Sequence, residues 1–156
     1  MPPMQAPLRT QAVTRSALRF CLARGWSPLL EMPLPDGRRA DLFALRPDGG
    51  FALIEVKSCA RDFLSDAKWP EYRAYCDELH FAVDQDFPTS LLPEDTGLLI
   101  CDGFEAVALR EAPAHPLAPA RRRALLHRFA CLAATRLAGL ADPSGLAERR
   151  AALRLD

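Results

Sequence analysis

Phe51-Ala52-Leu53-Ile54-Glu55-Val56-Lys57 is an apolar run that ends by placing an acid and a base two positions apart. A short apolar run bounded by turn residues reads as a buried strand, and the two-residue repeat of a strand puts Glu55 and Lys57 on one face. Charge at the end of a buried strand is costly unless it is partnered, so this is where a site or a structural ion pair belongs. Upstream, Arg46-Pro47-Asp48-Gly49-Gly50 has the residues of a hairpin loop, and Arg38 to Leu45 reads as the other strand. A loop centred on Asp48 sets Asp41 directly opposite Glu55, whereas a two-residue turn over Asp48-Gly49 sends Asp41 to the other face. The first register needs a longer loop or a bulge, which Gly49 and Gly50 admit because positive φ costs glycine little.

Working outward, Met1 to Pro7 carries three prolines and reads as a loose tail, leaving residues 8–156 as one expected domain. Leu8, Val13, Leu18, Phe20 and Leu22 predict a helix to Ala23, stopped by Gly25 at its C′ position. Leu29 to Leu34 is a strand that Pro28, Pro33 and Pro35 confine to an edge, and Asp36-Gly37 a tight turn. Trp69, Tyr72 and Tyr75 predict a helix opening near Pro70, with Tyr75 in the core. Strands follow at Leu79 to Val83, Gly97 to Cys101 and Ala106 to Leu109, the last two joined at Asp102-Gly103. After a proline-rich linker, Ala120 to Leu140 predicts one long helix and Ser144 to Leu153 a short final one. The order implies an α/β or α+β domain with a mixed central sheet flanked by helices and a long C-terminal helix.

At 156 residues and 49% hydrophobic composition, the chain can bury a layered core without staples. The five cysteines, Cys21, Cys59, Cys76, Cys101 and Cys131, lack zinc-ligand spacing and predict reduced thiols. No stretch is expected to reach the roughly 20 apolar residues of a membrane span, and no leader opens the chain, so the reading is a cytoplasmic protein without a membrane partner. Twenty basic residues balance twenty acidic ones. That excludes a chain that coats nucleic acid through its overall field, and leaves local contacts. No G-x-x-x-x-G-K-[ST] or G-x-G-x-x-G motif suggests a nucleotide cofactor. His80, His115 and His127 share no ligand spacing and pair with no nucleophile.

In the register that faces Asp41 to Glu55, two carboxylates and an ammonium converge at one sheet end. Two carboxylates suit Mg²⁺ or Mn²⁺, hard cations that keep waters and take phosphate oxygens. Such an ion acidifies a bound water and neutralises charge on an attacked phosphate, and Lys57 could orient that water or stabilise the transition state. The alternative is a structural ion pair of Glu55 with Lys57.

Arg38-Arg39-Ala40-Asp41, Ile54-Glu55-Val56-Lys57-Ser58, the run Asp62-Phe63-Leu64-Ser65-Asp66-Ala67-Lys68-Trp69-Pro70-Glu71-Tyr72-Arg73-Ala74-Tyr75-Cys76-Asp77, and Phe81-Ala82-Val83 together resemble the MmcB-like DNA repair family. That family is similar to the PD-(D/E)XK superfamily, which includes restriction enzymes and Holliday junction resolvases. The resemblance implies a restriction-endonuclease-like fold and a bacterial DNA repair role connected with mitomycin-type damage. It also implies Asp41 and Glu55 as metal ligands and Lys57 as a base-like catalytic residue. The sequence departs at Ala40, where the superfamily often has proline.

Further DNA-binding candidates are Arg38, Arg39, Asp62, Asp66, Lys68, Trp69 and Tyr72. Asp62 and Asp66 could instead cap a helix, and the aromatics could stack on bases or sit in the core. Arg121-Arg122-Arg123 with Arg128 reads as a solvated helix face. Glu31 is a possible third carboxylate. The expectation is a metal-dependent deoxyribonuclease acting on damaged or branched DNA, with a noncatalytic DNA-binding accessory protein or a helix-docking scaffold as alternatives. A resolvase-like task would favour a homodimer.

Overall fold

The computed structural model describes residues 6–153. The expected tail lies outside the described residues as far as residue 5, and Ala6 and Pro7 already belong to a helix. The chain divides between Ala118 and Pro119 into two compact units.

The first unit is built on one mixed six-stranded sheet in the order β1-β2-β3-β4-β5-β6. Its strands are β1 (Ser27–Pro33), β2 (Arg39–Leu45), β3 (Phe51–Val56), β4 (Glu78–Asp84), β5 (Gly97–Cys101) and β6 (Ala106–Arg110). The first three form an antiparallel meander, β3, β4 and β5 run parallel, and β5-β6 is an antiparallel hairpin. Parallel neighbours need crossovers. The one between β3 and β4 carries α2 (Ala60–Ser65) and a 3₁₀ helix (Trp69–Tyr75).

Helix α1 (Ala6–Ala23) covers one face. Val13, Ala17, Phe20 and Cys21, spaced i, i+4, i+7 and i+8, bury one stripe of it against Leu42, Ala44, Ala52, Ile54 and Ala82. The small alanines of the sheet let the helix approach closely. Leu8 and Leu22, expected on this stripe, are exposed. The helix ends as anticipated. Gly25 has φ +71°, and the bonds Trp26 N–H to Cys21 O (2.9 Å) and Gly25 N–H to Leu22 O (3.0 Å) close a Schellman motif.

Phe63, Phe81, Val83, Phe87, Leu92 and Leu98 fill the opposite face, with Trp69 packed against them. The site belongs to this second face. Tyr72, not Tyr75, is the buried tyrosine, because the segment is a 3₁₀ helix rather than an α-helix. Asp77, just before β4, is buried and ties the linker to the sheet, accepting from Phe51 N–H (2.7 Å) and Leu117 N–H (2.9 Å).

At the sheet edge, β1 carries Pro28 and Pro33, and Glu31 within it has φ +49°, a left-handed conformation that is strained for a residue with a Cβ. The cysteines are free, with Cys21, Cys76 and Cys101 buried and Cys59 and Cys131 exposed.

The second unit is helical. Helix α3 (Pro119–Ala141) starts on a proline, and α4 (Pro143–Ala152) is capped by Asp142, whose carboxylate accepts from Gly145 N–H at 3.1 Å. Contrary to the sequence expectation, α3 is long and apolar enough to cross a membrane by length and composition alone, with a mean hydropathy of 1.2. Any such 18-residue window contains Arg128 and Arg136, and each would cost roughly 2.5–3.5 kcal/mol near a bilayer centre.

Candidate active site

The β2-β3 loop settles the register. Arg46 N–H bonds Gly50 O (2.8 Å), Gly49 N–H bonds Arg46 O (3.0 Å), and Gly49 takes φ +85°. This is a three-residue loop with a left-handed glycine. Leu45 therefore faces Phe51 and Leu42 faces Ile54, so the next facing pair is Asp41 and Glu55.

At that position the side chains take over from the ladder. Val56 N–H donates to Asp41 Oδ2 (2.8 Å), and Asp41 N–H donates to Glu55 Oε1 (3.2 Å). Glu55 is only 4% exposed. Burial first, and the charge of Asp41 next, push the Glu55 carboxyl up to about 9. Burial also raises Asp41, against the pull of the Val56 N–H bond. Two carboxylates this close and this dry resist ionising together.

Lys57 continues the line of β3, with its N–H bonded to Ala82 O at 3.0 Å. Its buried ammonium meets Asp66 Oδ2 at 2.8 Å. The partner of Lys57 is thus Asp66 at the C-cap of α2, so the suggested ion pair with Glu55 is not the one formed. Asp62 accepts from Ser58 N–H (3.0 Å) and from the Ser58 hydroxyl (3.4 Å), which fastens the start of α2. Tyr72 donates to Arg39 O at 3.4 Å, and burial and then the charge of Glu55 raise its phenol to about 12.

These groups line an open cleft of about 710 Å³ that holds Arg39, Asp41, Glu55, Lys57, Asp62, Asp66 and Tyr72. Four sequence candidates lie outside it, among them Glu31, which is exposed on β1. Arg38 is drawn away by Glu71 (3.1 Å) and packs over the Tyr72 ring, Lys68 is exposed, and Trp69 stacks edge-on against Phe81. Thr10 and Arg61 line the cleft and were not singled out by the sequence. For Arg61 the available signal was its place in the polar run after Lys57. Thr10, distant in sequence on α1, gave none.

The donor set tests which metal would fit. Among the described residues, no three His, Cys, Asp or Glu side chains gather as a metal cluster. A closed zinc-type site is therefore not built. A pair of oxygen donors held by main-chain bonds on neighbouring strands suits a hard cation that retains waters, with Asp41 and Glu55 as the residues to hold it.

Comparison with known proteins bears on the fold and the family. A solved structure described as the SPO1766 protein of unknown function from Silicibacter pomeroyi superposes with a TM-score of 0.83 at 43% identity, covering 91% of this chain and 95% of that one. No curated protein matches. The family model described as "DNA repair protein MmcB-like" matches residues 4–144, and the chain belongs to the MmcB-like DNA repair protein family.

Proposed function

We propose that this chain binds Mg²⁺ or Mn²⁺ at Asp41 and Glu55 and hydrolyses a phosphodiester bond in damaged or branched DNA, as a PD-(D/E)XK-type repair nuclease of the bacterial cytoplasm. The observation that carries the reading is the reciprocal arrangement of Asp41 and Glu55, two carboxylates held on neighbouring strands at the mouth of a cleft beside a buried ammonium. A bound dication would supply charge neutralisation at the phosphate and acidification of a water. The chain supplies the rest. Asp41 and Glu55 share a dry strand end, where a bound cation would favour their ionised forms and release the proton that burial holds on Glu55. Lys57 holds a fixed positive charge within the same cleft, and Asp66 fixes where that charge lies.

A second reading is a DNA-binding accessory protein that does not cut. It is favoured by the Lys57–Asp66 ion pair, which occupies the ammonium that a nuclease would use on water or phosphate.

The test is incubation of linear, nicked, flapped and four-way DNAs with the purified chain in Mg²⁺, Mn²⁺ or EDTA, beside Lys57→Ala. Metal-dependent cutting that the variant loses supports the nuclease. Binding without cutting on any substrate supports the accessory role.

A further inference from the structure

The cleft carries four carboxyl groups, Asp41, Glu55, Asp62 and Asp66, which add no attraction for a polyanion. Its cations are Lys57, Arg39 and Arg61. Lys57 is committed to Asp66 and Arg38 to Glu71, which leaves Arg39 and Arg61, among the described residues, as the cleft cations without an ion-pair partner. Both are exposed. Arg39 enters from β2 and Arg61 from α2, so the pair approaches the Asp41–Glu55 centre from two different elements.

We propose that Arg39 and Arg61 form a phosphate clamp, each taking a backbone phosphate of a nucleic-acid strand laid through the cleft. This assignment deepens the DNA reading above and rests on it. Arginine suits the task because its planar fork donates two parallel hydrogen bonds to one phosphate and stays charged at every working pH. A strand held by both arginines lies in the cleft that the carboxylate pair lines. The clamp thereby offsets the repulsion that the cleft's ionised carboxylates exert on incoming DNA. Backbone contacts of this kind position a strand without reading its sequence.

The experiment is anisotropy of a short fluorescent duplex, and of one of its single strands, titrated with the full chain in EDTA across a range of salt. Wild type is compared with Arg39→Ala, Arg61→Ala, the double variant and Arg15→Ala, an exposed cation on α1 outside the cleft. Each clamp variant is expected to flatten the plot of log affinity against log salt by about 0.9 on duplex, or about 0.7 on single strand. The double variant loses both increments and Arg15→Ala loses none.

Unchanged slopes in the two arginine variants overturn the proposal and move the phosphate contacts elsewhere, for instance to the segment after Pro119, where eight arginines meet three acids. An equal loss in Arg15→Ala also overturns it, as a general charge effect, and so does a wild-type chain that binds neither DNA. The nuclease reading fails separately: a chain that shows the clamp slopes but cuts no DNA in Mg²⁺ or Mn²⁺ keeps the clamp and loses the hydrolysis.

Discussion

Asp41 donates its main-chain N–H to Glu55 Oε1 at 3.2 Å, so the second carboxylate is anchored on the backbone of the first. With the reverse bond from Val56 N–H to Asp41 Oδ2, the last rung between β2 and β3 is made by side chains. The ladder's end and the candidate metal site are the same atoms.

The first consequence is a pH dependence of stability. Glu55 titrates at about 9 in the fold against an ordinary 4.5, and Asp41 is raised as well. The folded chain therefore binds more protons than the unfolded one between those values. This contribution to stability is complete below the unfolded pKa and is lost as pH rises through the folded one. Urea unfolding in EDTA is expected to show stability falling from pH 5 toward pH 9 by on the order of 1 kcal/mol per pH unit where the slope is steepest. Glu55→Gln flattens that slope, and an equally steep slope in the variant would remove Glu55 as its source.

Asp41→Asn addresses the metal. The variant should keep its fold in EDTA and lose the rise in melting temperature that Mn²⁺ is expected to give wild type under the proposed reading, a rise set by ligand concentration relative to Kd. Metal-dependent cleavage should fall by roughly 10²–10³-fold, the scale on which a single charge-stabilising contact is felt. Retention of both the Mn²⁺ shift and the cleavage would take Asp41 out of the site.

Asp66→Ala strands an ammonium whose side chain is only 6% exposed. Removing one partner of a buried pair costs about 3–5 kcal/mol, and because Asp66 itself is partly exposed the expected loss is nearer 2–3 kcal/mol. The double variant Lys57→Met, Asp66→Ala should recover most of that loss in denaturant unfolding. Additive losses would show that the two side chains are not coupled.

Asp77→Ala unsatisfies two main-chain donors at once, on Phe51 and on Leu117. Hydrogen bonds to a charged group contribute about 1.5–3 kcal/mol each, so the variant should lose roughly 3 kcal/mol in urea. It should also raise amide exchange around His115, whose N–H bonds Asp77 O at 2.8 Å. Normal protection there would mean that the linker is held by other contacts.

The strand pair was legible in the sequence because continuous apolar runs bounded by turn residues mark both strands. Its register was narrowed to two, and the left-handed Gly49 of a three-residue loop decides for the one that sets Asp41 against Glu55. The ion pair of Lys57 with Asp66 was not legible. It depends on where a six-residue helix drops its C-cap, and propensity does not resolve so short a helix. Tyr75 was placed in the core, with Tyr72 left open, for a related reason: the buried position depends on whether the turn is 3₁₀ or α, and Trp69-Pro70 permits either. Arg38 looked equivalent to Arg39, and only the fold shows Glu71 claiming one of them. The left-handed Glu31 carries no sequence mark at all.

That residue, with the prolines around it, bears on how copies of this chain can meet. An exposed strand rim with regular donors and acceptors is a template on which another chain can zip, the route to runaway association. On the β1 rim, Pro28 and Pro33 supply no N–H, and the left-handed turn at Glu31 breaks the straight run between them. Sheet growth is disfavoured on the side next to the Asp41 strand, so the edge beside the candidate site is a poor template for a continuous intermolecular sheet.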